Sequence, residues 1–168
     1  IDHPSWTYTF DADSSLFNSA PSLVSSSTMS VRGNFSSNFP KSSYNFTLLN
    51  DGGQDDPQPV LGLDSSQDWA LVGPWSTDRS YIRNAFVYAL SNRIGRWAPR
   101  TRFVETFVNT NNDGLDATDY HGIAVLTDRL KIGPDRINIA PLSTADVTAP
   151  DFTGGYVFKF DPVPDPEH

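Results

Sequence analysis

Only one stretch of this chain spaces its apolar residues like a helix; everywhere else they alternate or run in short blocks between Gly, Pro, Asn and Asp. Ile82, Ala85, Phe86, Ala89 and Leu90 recur at offsets of three and four, so one face of a helix there is apolar. Asp78 suits the start, because its carboxylate can accept backbone N–H groups that lack intrahelical partners. Arg93 and Arg96 lie near the negative end, Gly95 can take the left-handed position beyond the last turn, and Pro99 stops continuation. The spacing predicts a helix over 78–94.

The remaining segments read as strands. Trp6, Tyr8 and Phe10 alternate with Thr, the period of an exposed or edge strand. Met29 to Gly33 predicts a strand with a glycine exit, and Tyr44 to Leu48 another. Asn50-Asp51-Gly52-Gly53 is strong turn chemistry, and residues 50–59 predict a loop. Trp69 to Val72 is a buried run ending at Gly73-Pro74. Phe103, Glu105 and Phe107 alternate with Val104, Thr106 and Val108, and Ile123 to Leu126 reads as a central strand. Ile137 to Ile139 and Tyr156 to Phe160 predict two more. The sum is an α+β fold, a mostly antiparallel β-sheet with one main helix. It divides into an N-terminal arm or edge strand (1–30), a lobe (31–161) and an extended tail (162–168), whose Pro162, Pro164 and Pro166 forbid helix.

Composition removes several function classes. The net charge is −8, which disfavours nucleic acid, since phosphate contacts need clustered Lys and Arg. Nearly all the acid is Asp, a residue of turns and loops; Glu occurs only at 105 and 167. There is no cysteine, hence no disulfide, thiolate metal site or Cys nucleophile. No apolar run approaches the ~20 residues of a membrane span. The chain begins at Ile1 with no basic-then-apolar leader, so a processed or trimmed N-terminus is expected. His3, His121 and His168 lie too far apart in sequence to suggest a metal triad. No nucleophile elbow, phosphate-binding P-loop or dinucleotide fingerprint occurs.

The sharpest local signal is the polar run from Asn109 to Asp119. Oxygen-bearing Asn109, Asn111 and Asp113 occupy the first, third and fifth positions and Gly114 the sixth, as at the start of a calcium loop. The twelfth position is Tyr120, so Asp119 would have to serve as the closing ligand. The alternative is a polar hairpin loop held by Asx turns. Asn34 and Asn45 begin Asn-x-Ser/Thr sequons and are candidate glycosylation sites.

Six segments, in order, resemble the CotH kinase family of spore-coat and surface proteins. They are Arg32 to Ser37 followed by Phe39 to Tyr44; Gly62-Leu63 followed by Asp68 to Leu71; Asp78 to Asn84; Arg102 to Glu105; Tyr120 to Ile123; and Gly154 to Asp161. Each is weak alone, but the order is specific. The resemblance implies a strand-rich, kinase-like N-lobe. It implies that active members transfer phosphate from Mg-ATP to coat proteins, with metal-holding carboxylates in later segments that do not occur before His168.

Two departures stand out. Thr127 stands where the family usually has Glu, and if that Glu pairs the phosphate-binding lysine, the pairing is either lost here or taken over by Asp128. Residues 109–119 look inserted. Within this frame Lys41, one of three lysines, is the candidate phosphate contact, against a solvated lysine on a turn. Arg83 is a second nucleotide-binding candidate, against an internal ion pair. Asp78 reads as a cap rather than a catalytic acid.

No catalytic residue is expected within this chain. The first reading is a non-catalytic extracellular or spore-surface module that self-associates, or joins coat proteins, by strand addition. The alternatives are the N-terminal half of an ATP-dependent CotH-type kinase, with Mg-ATP bound only in a complete domain, and a calcium-dependent adhesion module.

Overall fold

The computed structural model describes residues 1–11, 20–33, 35–75, 78–111, 113–134, 136–153 and 155–157. Two compact units emerge, Ile1–Arg129 and Leu130–His168. The strand-rich α+β class expected from the patterning is the one observed.

The first unit is built on β1 (His3–Thr9), β2 (Leu23–Arg32), β3 (Ser43–Leu49), β4 (Gln58–Val60), β5 (Leu63–Ser66), β6 (Asp68–Val72), α1 (Arg83–Arg93), β7 (Thr101–Phe107) and β8 (Tyr120–Asp128). Six strands form one sheet in the order β1-β2-β3-β6-β8-β7, and every neighbouring pair is antiparallel. β4 and β5 form a separate hairpin.

Register explains the core. Cross-strand partners share a face, so Met29↔Phe46, Phe46↔Trp69, Tyr44↔Leu71 and Leu71↔Leu126 put one apolar set on one side of the sheet. The β4–β5 hairpin adds Val60 and Leu63 to that side. Trp69 and Leu48 are fully buried there, and the Trp69 indole N–H donates to the Ser66 carbonyl at 2.8 Å. Toward β1 this layer turns polar: the Ser27 hydroxyl, almost fully buried, bonds those of Ser5 (2.8 Å) and Thr7 (2.9 Å). The edge strand is thus fastened by hydroxyls rather than by apolar packing.

Three local expectations need correction. The helix begins at Arg83, not 78, because Tyr81 adopts a left-handed φ of 63° that no helix interior accommodates. The N-cap position is Ile82, yet the Asp78 carboxylate still accepts the Arg83 N–H at 3.0 Å. The 50–59 loop holds its predicted turn, with Asn50 Oδ1 accepting the N–H groups of Gly52 and Gln54, but it gives way to β4 at Gln58 because Leu63–Ser66 supplies a partner strand. Residues 137–139 form no strand; in the second unit Ile137 makes a single parallel bridge with Ile132. Of the 156–160 segment, Phe158 to Phe160 lie outside the described residues, as does the 162–168 tail.

Candidate functional site

Two chemistry-bearing residues of the first unit, Lys41 and His121, meet where β8 enters the sheet. β7 and β8 pair regularly from Thr101↔Thr127 to Thr106↔Gly122, and then Phe107 faces Tyr120, which leaves His121 as an extra residue. Gly122 sits at this bulge with φ = 86°, a conformation glycine adopts without cost. The bulge turns the Ile123 carbonyl and the His121 ring toward the segment before β3.

Lys41 occupies that segment. Its Nζ donates to the Ile123 carbonyl and lies 4.9 Å from the centroid of the Tyr81 ring. Two glycines make room for it. A Cβ on Gly122 would stand 3.1 Å from Lys41 Nζ, and one on Gly73 would stand 3.0 Å from Lys41 Cγ and 2.9 Å from the Ser42 carbonyl oxygen. His121 Nε2 bonds that same Ser42 oxygen at 3.0 Å, and its ring meets Tyr44 edge-on with centroids 5.4 Å apart. Since a carbonyl can only accept, His121 carries its proton on Nε2. The Gly73 N–H donates to Ser43 Oγ at 3.0 Å, which closes the frame around the lysine stem.

Around the ammonium lies an open depression of about 350 Å³ lined by Pro40, Lys41, Trp75, Tyr81, Tyr120 and His121. A second depression, of about 400 Å³, is lined by Ser80, Tyr81, Phe103, Tyr120 and Ile123, so Tyr81 and Tyr120 wall both. Among the described residues Lys41 makes no ion pair. Its partners among the described residues are a neutral carbonyl and a neutral ring, and no carboxylate of these residues pairs with it.

Asp128, the residue expected to substitute for the missing Glu, is engaged elsewhere. Its carboxylate accepts from the Arg100 backbone N–H (3.1 Å) and Nε (3.0 Å), and Arg100 also pairs with Asp64. Asp68 takes the Thr47 hydroxyl at 3.0 Å and Arg129 Nη1 at 3.2 Å. Arg83 lines neither depression; it lies at the start of α1, with Nε 3.9 Å from Asp78. The Asp78 carboxyl is held below its ordinary value chiefly by the Ser80 hydroxyl; desolvation opposes this, and the Arg83 N–H and charge add to the lowering.

The described residues of the 109–119 run bond to one another. Asn109 Oδ1 accepts the Asn111 N–H (3.2 Å), Asp113 Oδ2 accepts Asn111 Nδ2 (2.9 Å), and Asp119 Oδ2 accepts the Asp116 N–H (3.0 Å). The Asp116 carboxyl is lowered mainly by the Thr118 hydroxyl and N–H. Calcium binding there would require these oxygens to exchange N–H donors for the ion. Among the described residues no group of three or more His, Asp or Glu side chains is placed to hold a metal. Of the sequons, Asn34 lies outside the described residues, and Asn45 is half-buried in β3 between Ser30 and Ala70.

With this geometry in place, comparison identifies the lineage. The family described as CotH kinase protein matches residues 29–160. The chain belongs to the CotH family. No match was found among curated proteins or among solved structures. The CotH match spans Lys41, Gly73, Tyr81 and the His121-Gly122 bulge, so the whole depression is family sequence. Sequence reasoning singled out Lys41 as a candidate but not Trp75, Tyr81 and Tyr120, which line the same depression. Gly73-Pro74 and His121-Gly122 were the available signals, since glycine beside a strand marks a bulge or a close approach. Nothing in the sequence marks Tyr81 as left-handed.

No helix among the described residues is long and apolar enough to cross a membrane.

Proposed function

We propose that this chain is the phosphate-binding lobe of a CotH-type phosphotransferase, with Lys41 as the phosphate contact and the rings of Trp75, Tyr81 and Tyr120 as the walls beside it. The observation that carries the reading is the uncompensated Lys41 ammonium, held in an aromatic-walled depression of a chain with net charge −8. An acidic surface offers many carboxylates, and this cation meets none among the described residues. A phosphate oxygen arriving at Nζ would accept a hydrogen bond in which both partners are charged, whereas the Ile123 carbonyl that Nζ already meets is neutral, and the ammonium has three donors to share between them. Phosphoryl transfer is largely positioning and electrostatics, and Lys41, His121 and the bulge supply the first part of that.

The described residues fit the phosphate better than the metal. They bring a lysine and Gly-permitted close approach to the depression, but no cluster of carboxylates.

Titration of the protein with ATP, pyrophosphate and adenosine, followed by calorimetry, tests the reading. ATP and pyrophosphate are expected to bind, adenosine weakly, and Lys41→Met to remove the phosphate-dependent part. Equal affinity of the wild type and Lys41→Met for all three ligands would sink it.

A second reading, a self-assembling coat or surface subunit outside the cell, is supported by β1. Among the described residues this strand has β2 as its only neighbour; it carries no Lys, Arg, Asp or Glu, and exposes Trp6 (64%) and Tyr8 (56%). Edge strands without charges or bulges are open to strand addition. The opposite edge, β7, carries Arg102 and Glu105 and a register break. Sedimentation velocity showing a monomer at millimolar concentration removes this second reading.

A further inference from the structure

Helix α1 has 11 residues. Isolated helices shorter than ~12–15 residues are marginal in water, so α1 needs a packed face. Within its own unit it has little of one. Ala85 is its only buried residue, and the Asn92 amide ties the region to Ala98 through bonds of 3.0 and 2.9 Å. The large apolar side chains point elsewhere. Ile82 (55%), Phe86 (66%), Leu90 (50%) and Ile94 (66%) are exposed, and Val87 (57%) lies beside them. Spaced by four, the first set forms one stripe along the helix.

Charge says what kind of surface would cover this stripe. From Arg79 to Arg100 the chain carries five arginines and no Asp or Glu, against a net charge of −8 overall. Arg79 and Arg83 stand at one end of the stripe, and Arg93 and Arg96 at the other, all exposed. Arg79, Arg93 and Arg96 make no ion pair among the described residues.

We infer that α1 is a docking face for an acidic amphipathic segment of another polypeptide, whose apolar side chains lie along Ile82, Phe86, Leu90 and Ile94 and whose carboxylates meet Arg79, Arg93 and Arg96. This is the helix-in-groove arrangement, with anchors at intervals of four. A second copy presenting the same face would set arginine against arginine. An anionic bilayer would repel the remaining, acidic surface of the chain. The inference is independent of the Lys41 depression.

The probe is a labelled synthetic helix of about 16 residues with Leu at helical spacing and Glu elsewhere. Its comparators are the same peptide with Lys for Glu and a scrambled Leu/Glu peptide. Fluorescence anisotropy with the full chain is expected to show the Leu/Glu helix binding at least tenfold more tightly than either comparator. The double variant Phe86→Glu, Leu90→Glu is expected to abolish that binding while leaving circular dichroism and ATP binding unchanged. Equal binding of the Leu/Lys helix overturns the inference, as does undiminished binding by the double variant. So does tighter association with vesicles of phosphatidylcholine and phosphatidylserine, or concentration-dependent dimerisation that the double variant removes.

Discussion

Two apolar segments meet opposite fates in this protein. β6, Asp68 to Val72, lies between β3 and β8, and its Trp69 and Ala70 are fully buried. Helix α1 carries Phe86, Val87 and Leu90, and all three remain half exposed or more. The difference is not hydrophobicity but partners. A strand inside a sheet has neighbours on both edges and a hairpin against one face, whereas a helix beside a sheet edge contacts only what its loops bring to it. An apolar stripe therefore announces that something covers it, without saying that the cover is intramolecular.

The largest effect expected from this contrast is in stability. Trp69→Ala removes a fully buried indole and its bond to Ser66, and urea titration should show a loss of about 3–5 kcal/mol. Phe86→Ala should stay within about 0.5 kcal/mol, as a surface substitution does. Equal losses would mean that α1 is covered in solution, which breaks the contrast.

The next effect concerns the depression at the β8 bulge. Lys41→Met should weaken phosphate binding at least tenfold, about 1.4 kcal/mol, with stability unchanged within about 0.5 kcal/mol. Gly122→Ala and Gly95→Ala separate strain from crowding. Both residues have positive φ, 86° and 78°, so each substitution should cost about 1 kcal/mol. Only at 122 would the new methyl press on Lys41 Nζ, 3.1 Å away; at 95 nothing stands within 4 Å. Phosphate binding should fall in Gly122→Ala and hold in Gly95→Ala.

Much of the sheet was legible because alternation and turn chemistry are local signals. Tyr44 to Leu48, Trp69 to Val72 and Ile123 to Leu126 each lie inside a strand. What was not legible depends on distant partners. Gln58–Val60 pairs only because Leu63–Ser66 follows, and Ile137 to Ile139 looks like a strand but has no ladder to join. The site divides the same way. Lys41 stood out by its scarcity and by the family-like segment around it, while its cradle needed the register break that leaves His121 as an extra residue between Tyr120 and Gly122. The early helix start at Asp78 failed on Tyr81, whose backbone conformation is fixed by surroundings the sequence does not display.

The smallest effect is electrostatic, and it asks how α1 is held if not by a core. Asp78 accepts the Ser80 hydroxyl at 2.7 Å and the Arg83 N–H at 3.0 Å, bonds that favour its charged form. Its folded pKa thus lies below the ordinary 3.8. A lowered carboxyl pKa adds stability that is present above 3.8 and is lost as pH falls through the folded value. Carboxyl NMR titration should accordingly place the Asp78 midpoint below 3.8, with the Arg83 amide shift following it. Ser80→Ala removes the largest cause and should raise that midpoint, while Asp116, lowered by Thr118 just before β8, stays where it was. An Asp78 midpoint unmoved by Ser80→Ala would show that this carboxylate does not anchor the start of α1, and the helix would then depend still more on whatever covers its exposed face.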